Sequence, residues 1–175
     1  MPRLIGSSRP LNFEELGNQI VNEIVPDSIN LDIYFRQSDI FVSKDDSPAA
    51  IRAYDEETDK ILLAAFRGLQ KHPLVIFSEA LQTDNLAGVA ELDPYLKAYD
   101  EVIAKAKKLY APSLISSLHL RSLNNLAAQK DAVRKMRSAE TDVLKAVVGV
   151  REFINAASSM NTLFKEFQDT LASAR

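Results

Sequence analysis

The chain has 175 residues, 46% hydrophobic and 26% charged, with a net charge of −3 and no Cys. That length suits one domain with a core of its own, and the lack of Cys excludes disulfides, thiolate nucleophiles and Cys-ligated zinc. No secretory signal opens the sequence and its longest apolar runs, such as 61–66, fall far short of a bilayer span, so a soluble cytoplasmic protein is the expectation.

Residues 1–11 carry Gly6, two Ser and Pro10 without periodicity and read as a mobile N-terminal arm; 12–175 read as a single helical domain. Asn12, with Glu15 three residues on, forms a capping box for a helix that buries Phe13, Leu16, Ile20, Val21 and Ile24 and ends at Pro26. Ile29, Leu31, Ile33 and Phe35 alternate with polar residues at strand period. With Ile40-Phe41-Val42 beyond a turn they predict a small β-hairpin near 29–42.

Ser47-Pro48 starts a helix expected to reach Lys71, before His72-Pro73. Its apolar stripe is Ile51, Tyr54, Ile61, Leu62, Ala65, Phe66 and Leu69, and Asp55, Glu56 and Asp59 fall on a solvated face. A buried helix over 73–82 and a short turn over 86–92 follow. Asp93-Pro94 then opens a helix that runs to Ala111. Beyond Ser113 the leucines at 114, 118, 120, 123 and 126 surround the helix axis, which predicts the most deeply buried element.

From Ala132 the sequence alternates steps of four and three through Met136, Ala139, Val143, Ala146, Val150, Phe153, Ala157, Met160, Phe164, Phe167, Leu171 and Ala174. A seven-residue repeat keeps one narrow stripe toward one partner surface. It predicts a rod over 132–174, roughly 65 Å long at the standard rise, with Gly149 off the stripe. The fold class is therefore mainly α: an elongated bundle around this long C-terminal helix, antiparallel to the helices at 94–111 and 48–71.

Chemistry-bearing patterns are sparse. The two histidines, His72 and His119, are isolated and read as structural. No Gly-rich phosphate loop, nucleophile elbow or Glu-x-x-His pair is present, so no catalytic, cofactor or metal residue is assigned. The expected function is non-enzymatic: an assembly or interaction protein that forms homo-oligomers or takes a helical protein partner. Its interface is drawn from Met160, Phe164, Phe167 and Leu171, where the stripe protrudes beyond the shorter helices.

Charge is unevenly spread. Residues 1–101 hold 9 Lys/Arg against 18 Asp/Glu, and residues 102–151 hold 10 against 3. Within the basic region of residues 105–165, Lys130, Arg137, Arg151 and Lys165 share one column of a continuous rod, with Arg134 beside it. A nucleic-acid backbone could lie along that column, as in a coat or filament, and this is the second reading. No aromatic residue interleaves with the bases, so pairing of the column with the acidic half ranks ahead of it. A membrane-active bundle that opens to insert its Phe-rich face is a third, weaker reading.

Overall fold

The computed structural model describes residues 33–173. The expected arm at 1–11, the helix from Asn12 and the start of the 29–42 segment lie outside the described residues. The rest is a helical bundle of five α-helices with one very small sheet.

Helix α1, Pro48–Ala65, begins where Ser47 accepts a hydrogen bond from the Ala50 amide at 3.2 Å, with Pro48 at the first position. It stops six residues short of Lys71. Gly68 adopts φ of 84°, a conformation that ends helices and that only Gly takes cheaply. Helix α2, Pro73–Gln82, is capped by His72, whose ring nitrogen accepts from the Leu74 amide at 3.3 Å. A 3-10 turn, Leu86–Leu92, leads into α3, Asp93–Ala106. This helix too ends earlier than expected, because the chain extends at Tyr110–Pro112.

That extended stretch corrects the predicted hairpin. Strand β1, Phe41–Ser43, pairs in parallel with β2, Tyr110–Pro112, and among the described residues not with 33–35. The alternation of Ile33 and Phe35 does not form a strand; Asn124 holds that backbone instead. Its Oδ1 accepts from the amides of Tyr34 and Phe35, both at 2.8 Å, and its Nδ2 donates to the Phe35 carbonyl at 3.0 Å. Asp46 adds a second tie, accepting from the Leu114 amide at 2.9 Å and from the Ser113 hydroxyl.

The 132–174 rod is two helices. Helix α4, Ser116–Arg137, closes in a 3-10 turn, Ser138–Glu140, and α5, Val143–Ser173, runs back along it. The reversal is built from short polar side chains. Ser138 donates to the Lys135 carbonyl, Thr141 and Asp142 turn back onto the Ser138 carbonyl, and Asp142 accepts from the Lys145 amide at 2.9 Å. Asp142 is thus the N-cap of α5. The long helix exists, about 46 Å of it at the standard rise, but α4 is its main partner and not the 94–111 and 48–71 segments.

The stripe is corrected as well. Ala146, Phe153 and Leu163 are buried in α5, yet Val143 is 45% exposed and Phe164 61%. Gly149, Ala156 and Leu163 take buried positions, while Val150 is only partly buried against the main core and Phe164 is exposed. A Cβ on Gly149 would sit 2.6 Å from the Ala132 carbonyl oxygen and 2.9 Å from the Met136 amide nitrogen. Gly149 is therefore the closest approach of the two helices, not a bystander.

The main core joins Ile76, Leu92, Tyr99, Val133, Met136 and Phe153 from α2 through α5. A second cluster, Ile51, Ile115, Leu118 and Leu163, ties α1 to α4 and α5. Helix α4 holds more buried residues than any other helix, Leu118, Leu123 and Leu126 among them, whereas Leu114 lies ahead of it and is exposed.

Candidate functional site

Small residues at 146, 149 and 156 draw the N-terminal half of α5 tightly onto α4. Beyond Ala156 the inward residues are Met160, Leu163 and Phe167, and larger side chains hold neighbouring elements apart. Helix α1 packs its backbone on α3 and β2, without comparable approach to α5. A cleft of about 350 Å³ is left there. Its walls are Ile61, Leu62 and Phe66 of α1 against Met160, Leu163 and Phe164 of α5, over a floor from α3 and α4. The lining is mostly apolar with a few polar groups, which is how small-ligand and peptide sites are built between the helices of bundles.

Two polar arrangements stiffen the cleft. At one end the Tyr54 hydroxyl meets Nδ1 of His119 at 2.6 Å, and the two rings stand edge to face with centroids 5.6 Å apart. Burial holds the His119 imidazole down at about 4 and pushes the Tyr54 phenol up to about 12, so both are neutral at pH 7. A protonated phenol donates to Nδ1, which leaves the ring proton on Nε2. That nitrogen is sealed from solvent and has no hydrogen-bond partner among the described residues. Along the floor, the Tyr99 hydroxyl donates to Gln129 Oε1 at 2.8 Å. Gln129 then donates to Asn125 at 2.7 Å, and Asn125 donates to the Ala156 carbonyl at 2.9 Å. This chain clamps α3, α4 and α5 together.

The mouth is acidic. Asp55 and Asp59, expected on a solvated face, both line the cleft, and Asp59 is exposed. Burial first, then the charges of Asp59 and Glu56, push the Asp55 carboxyl above its ordinary range. Among the described residues no group of three or more His, Asp or Glu could hold a metal ion.

Of the predicted interface residues, Phe164 is exposed at the rim. Met160, Phe167 and Leu171 turn partly inward against the Ile51–Leu163 cluster, and Tyr54 and Phe167 have ring centroids 6.3 Å apart. The basic residues do not form one column. Lys130, Arg134 and Arg137 lie on α4, and Arg151 and Lys165 lie on the returning α5. Lys130 pairs with Asp100, Arg134 with Asp131 at 2.9 Å, and Arg137 with Asp93 at 2.9 Å and Glu140 at 3.0 Å. Lys135, outside the predicted set, pairs with Glu152 at 2.6 Å.

The cleft escaped the sequence reading because it depends on where α5 turns back. Thr141-Asp142 ahead of an apolar run was the signal for that turn. Compared with models of known protein families, with curated proteins and with solved structures, the chain has no match. Among the described residues no helix is long and apolar enough to cross a membrane.

Proposed function

We propose that this chain is a non-enzymatic interaction module that seats an apolar helical segment in the cleft between α1 and α5. The supporting observation is the cleft's composition: aliphatic and aromatic walls, with Phe164 61% exposed on one rim and Leu63 75% exposed on α1 beside the other. Apolar surface that stays in water beside an open groove is characteristic of contact sites. The contact takes in the inner faces of Met160 and Phe167, which line the cleft, whereas Leu171 lies outside it and packs on the chain's own core.

The polyanion reading ranks lower. Lys130, Arg134 and Arg137 each have a carboxylate partner within the same chain, so a nucleic-acid backbone would have to displace those pairs. His119 is neutral and its Nε2 is out of reach of a substrate, which favours a structural role over a catalytic one.

The test uses a labelled helical peptide with a Leu/Phe face and an uncharged polar face, followed by fluorescence anisotropy. Saturable binding is expected, and it should be lost in Phe164→Ser combined with Leu63→Ser, both exposed rim positions, while the melting temperature of the described fold is retained. No binding at high micromolar protein, or binding indifferent to both substitutions, refutes the reading.

A further inference from the structure

The cleft has a charge pattern that narrows its occupant. Among the described residues its only charged lining side chains are those of Asp55 and Asp59, one turn apart on α1, and no Lys or Arg lines it. The neighbouring cation Lys60 reaches Glu57 at 3.5 Å, and Lys130 and Arg137 are engaged with Asp100 and Asp93. Asp55, Glu56 and Asp59 thus crowd like charges at the edge of an apolar groove, with no cation in ion-pair contact among the described residues. Such a site gains from a bound cation twice, by relieving repulsion and by attraction in a partly desolvated setting.

The shape separates a helix from a small molecule. On α1 the lining runs from Tyr54 to Phe66, about 18 Å at the helical rise. A shallow continuation over Leu62, Leu63, Phe66 and Arg67 prolongs it. A small molecule would fill the deep part and leave Leu63 and Phe164 in water. A helix lying along α1 would cover both rims and place side chains one turn apart into the groove. Arg67 is the one cation among the described residues that line this path, and it stands at the end away from Asp55.

We infer that the occupant is an amphipathic helix of a partner protein, with Leu or Phe anchors facing the cleft and Lys or Arg placed to meet Asp55 and Asp59. This rests on the reading of the cleft as the interaction surface. The α4 face of a second copy is a poor fit, because its cations Lys130, Arg134, Lys135 and Arg137 are paired within their own molecule.

The experiment compares two peptides with one Leu/Phe face, one carrying Lys and the other Glu on the flanking positions, by anisotropy at low and at physiological salt. The Lys peptide is expected to bind at least about tenfold tighter, with the advantage shrinking as salt screens it. Asp55→Asn with Asp59→Asn should bring the two to parity. Asp55→Lys with Asp59→Lys should reverse the order, and far-UV circular dichroism melts check each variant for folding. Equal affinities for the parent protein, or a tighter Glu peptide, overturn the inference and leave the cleft as an interaction surface. A preference that survives both double substitutions also overturns it. Binding of neither peptide overturns the inference and the proposed function together.

Discussion

Replacing Gly149 by Ala sets two physical effects of opposite sign against each other. In a helix interior Ala is favoured over Gly by about 1 kcal/mol, so an unconstrained glycine would give a more stable protein. Here the new methyl carbon would stand 2.6 Å from the Ala132 oxygen, 2.7 Å from the Lys135 Cβ and 2.9 Å from the Met136 nitrogen. None of these is the far end of a flexible side chain, so α4 and α5 must separate by several tenths of an ångström. Overpacking of this kind costs about 1–3 kcal/mol, and a backbone-on-backbone clash belongs at the upper end. The separation also strains the Asn125 to Ala156 bond and the Lys135–Glu152 pair, which lie within two turns of Gly149 on α5. The net expectation is a loss of about 2 kcal/mol, or a melting temperature lower by about 4–8 °C. Gly88→Ala is the control: its methyl would meet Ala80 Cβ at an ordinary 3.6 Å, and no loss is expected. Urea denaturation of both variants beside the parent decides the matter. A Gly149→Ala midpoint equal to or above the parent's would refute the close approach.

Between pH 7.5 and 5 the protein should lose about 2 kcal/mol of stability. Unfolded His119 takes up a proton near pH 6.5, whereas the buried ring resists until about 4, so stability falls through that window and levels off below it. His119→Gln should remove most of the slope in denaturation midpoints, leaving a smaller share from His72, which burial also holds down. Asn124→Ala strips three hydrogen bonds from the backbone at 34–35 and should cost about 1–3 kcal/mol. Limited trypsin digestion should then cut after Arg36 faster than in the parent, and an unchanged cleavage rate would contradict that role for Asn124.

Helix starts were legible at Ser47-Pro48 and Asp93-Pro94, although Asp93 is the first residue of its helix and not the cap, and the cap made by His72 was not foreseen. The burial of α4 was legible from Leu118, Leu123 and Leu126. The continuous rod was misjudged because the seven-residue series runs unbroken from Ala132 through Ala146, so periodicity alone passes over Ser138–Asp142. The short polar residues of that turn were the competing signal. Once the chain reverses there, the face of α5 is set by what fits against α4. The smallest residue sits at 149, where the backbones come close, and Val150 is left partly buried beside it. The acidic mouth was hidden for a related reason. Asp55 and Asp59 lie beside the apolar stripe of α1, and only the missing close contact with α5 makes that flank part of a cleft. The charge asymmetry was read correctly in one respect, since Lys130 and Arg137 of the basic segment pair with Asp100 and Asp93 of the acidic one.

The reversal between α4 and α5 also governs when the protein can fold during its synthesis. Val133 and Met136 line the central core from α4, and Ala146 and Phe153 complete it from α5. Asn124 binds a segment 89 positions before it in the chain. The described part of the chain ahead of α4 therefore emerges from the ribosome before α4 and α5, which complete its burial, exist. Its helices wait as loosely held, apolar-faced pieces until residues 143–163 follow. Only then can α4 and α5 zip together across their short turn, a local and rapid event, and offer the template on which the earlier helices condense. These elements are thus incompletely buried until α5 has been made, and chaperone engagement should fall sharply once it has.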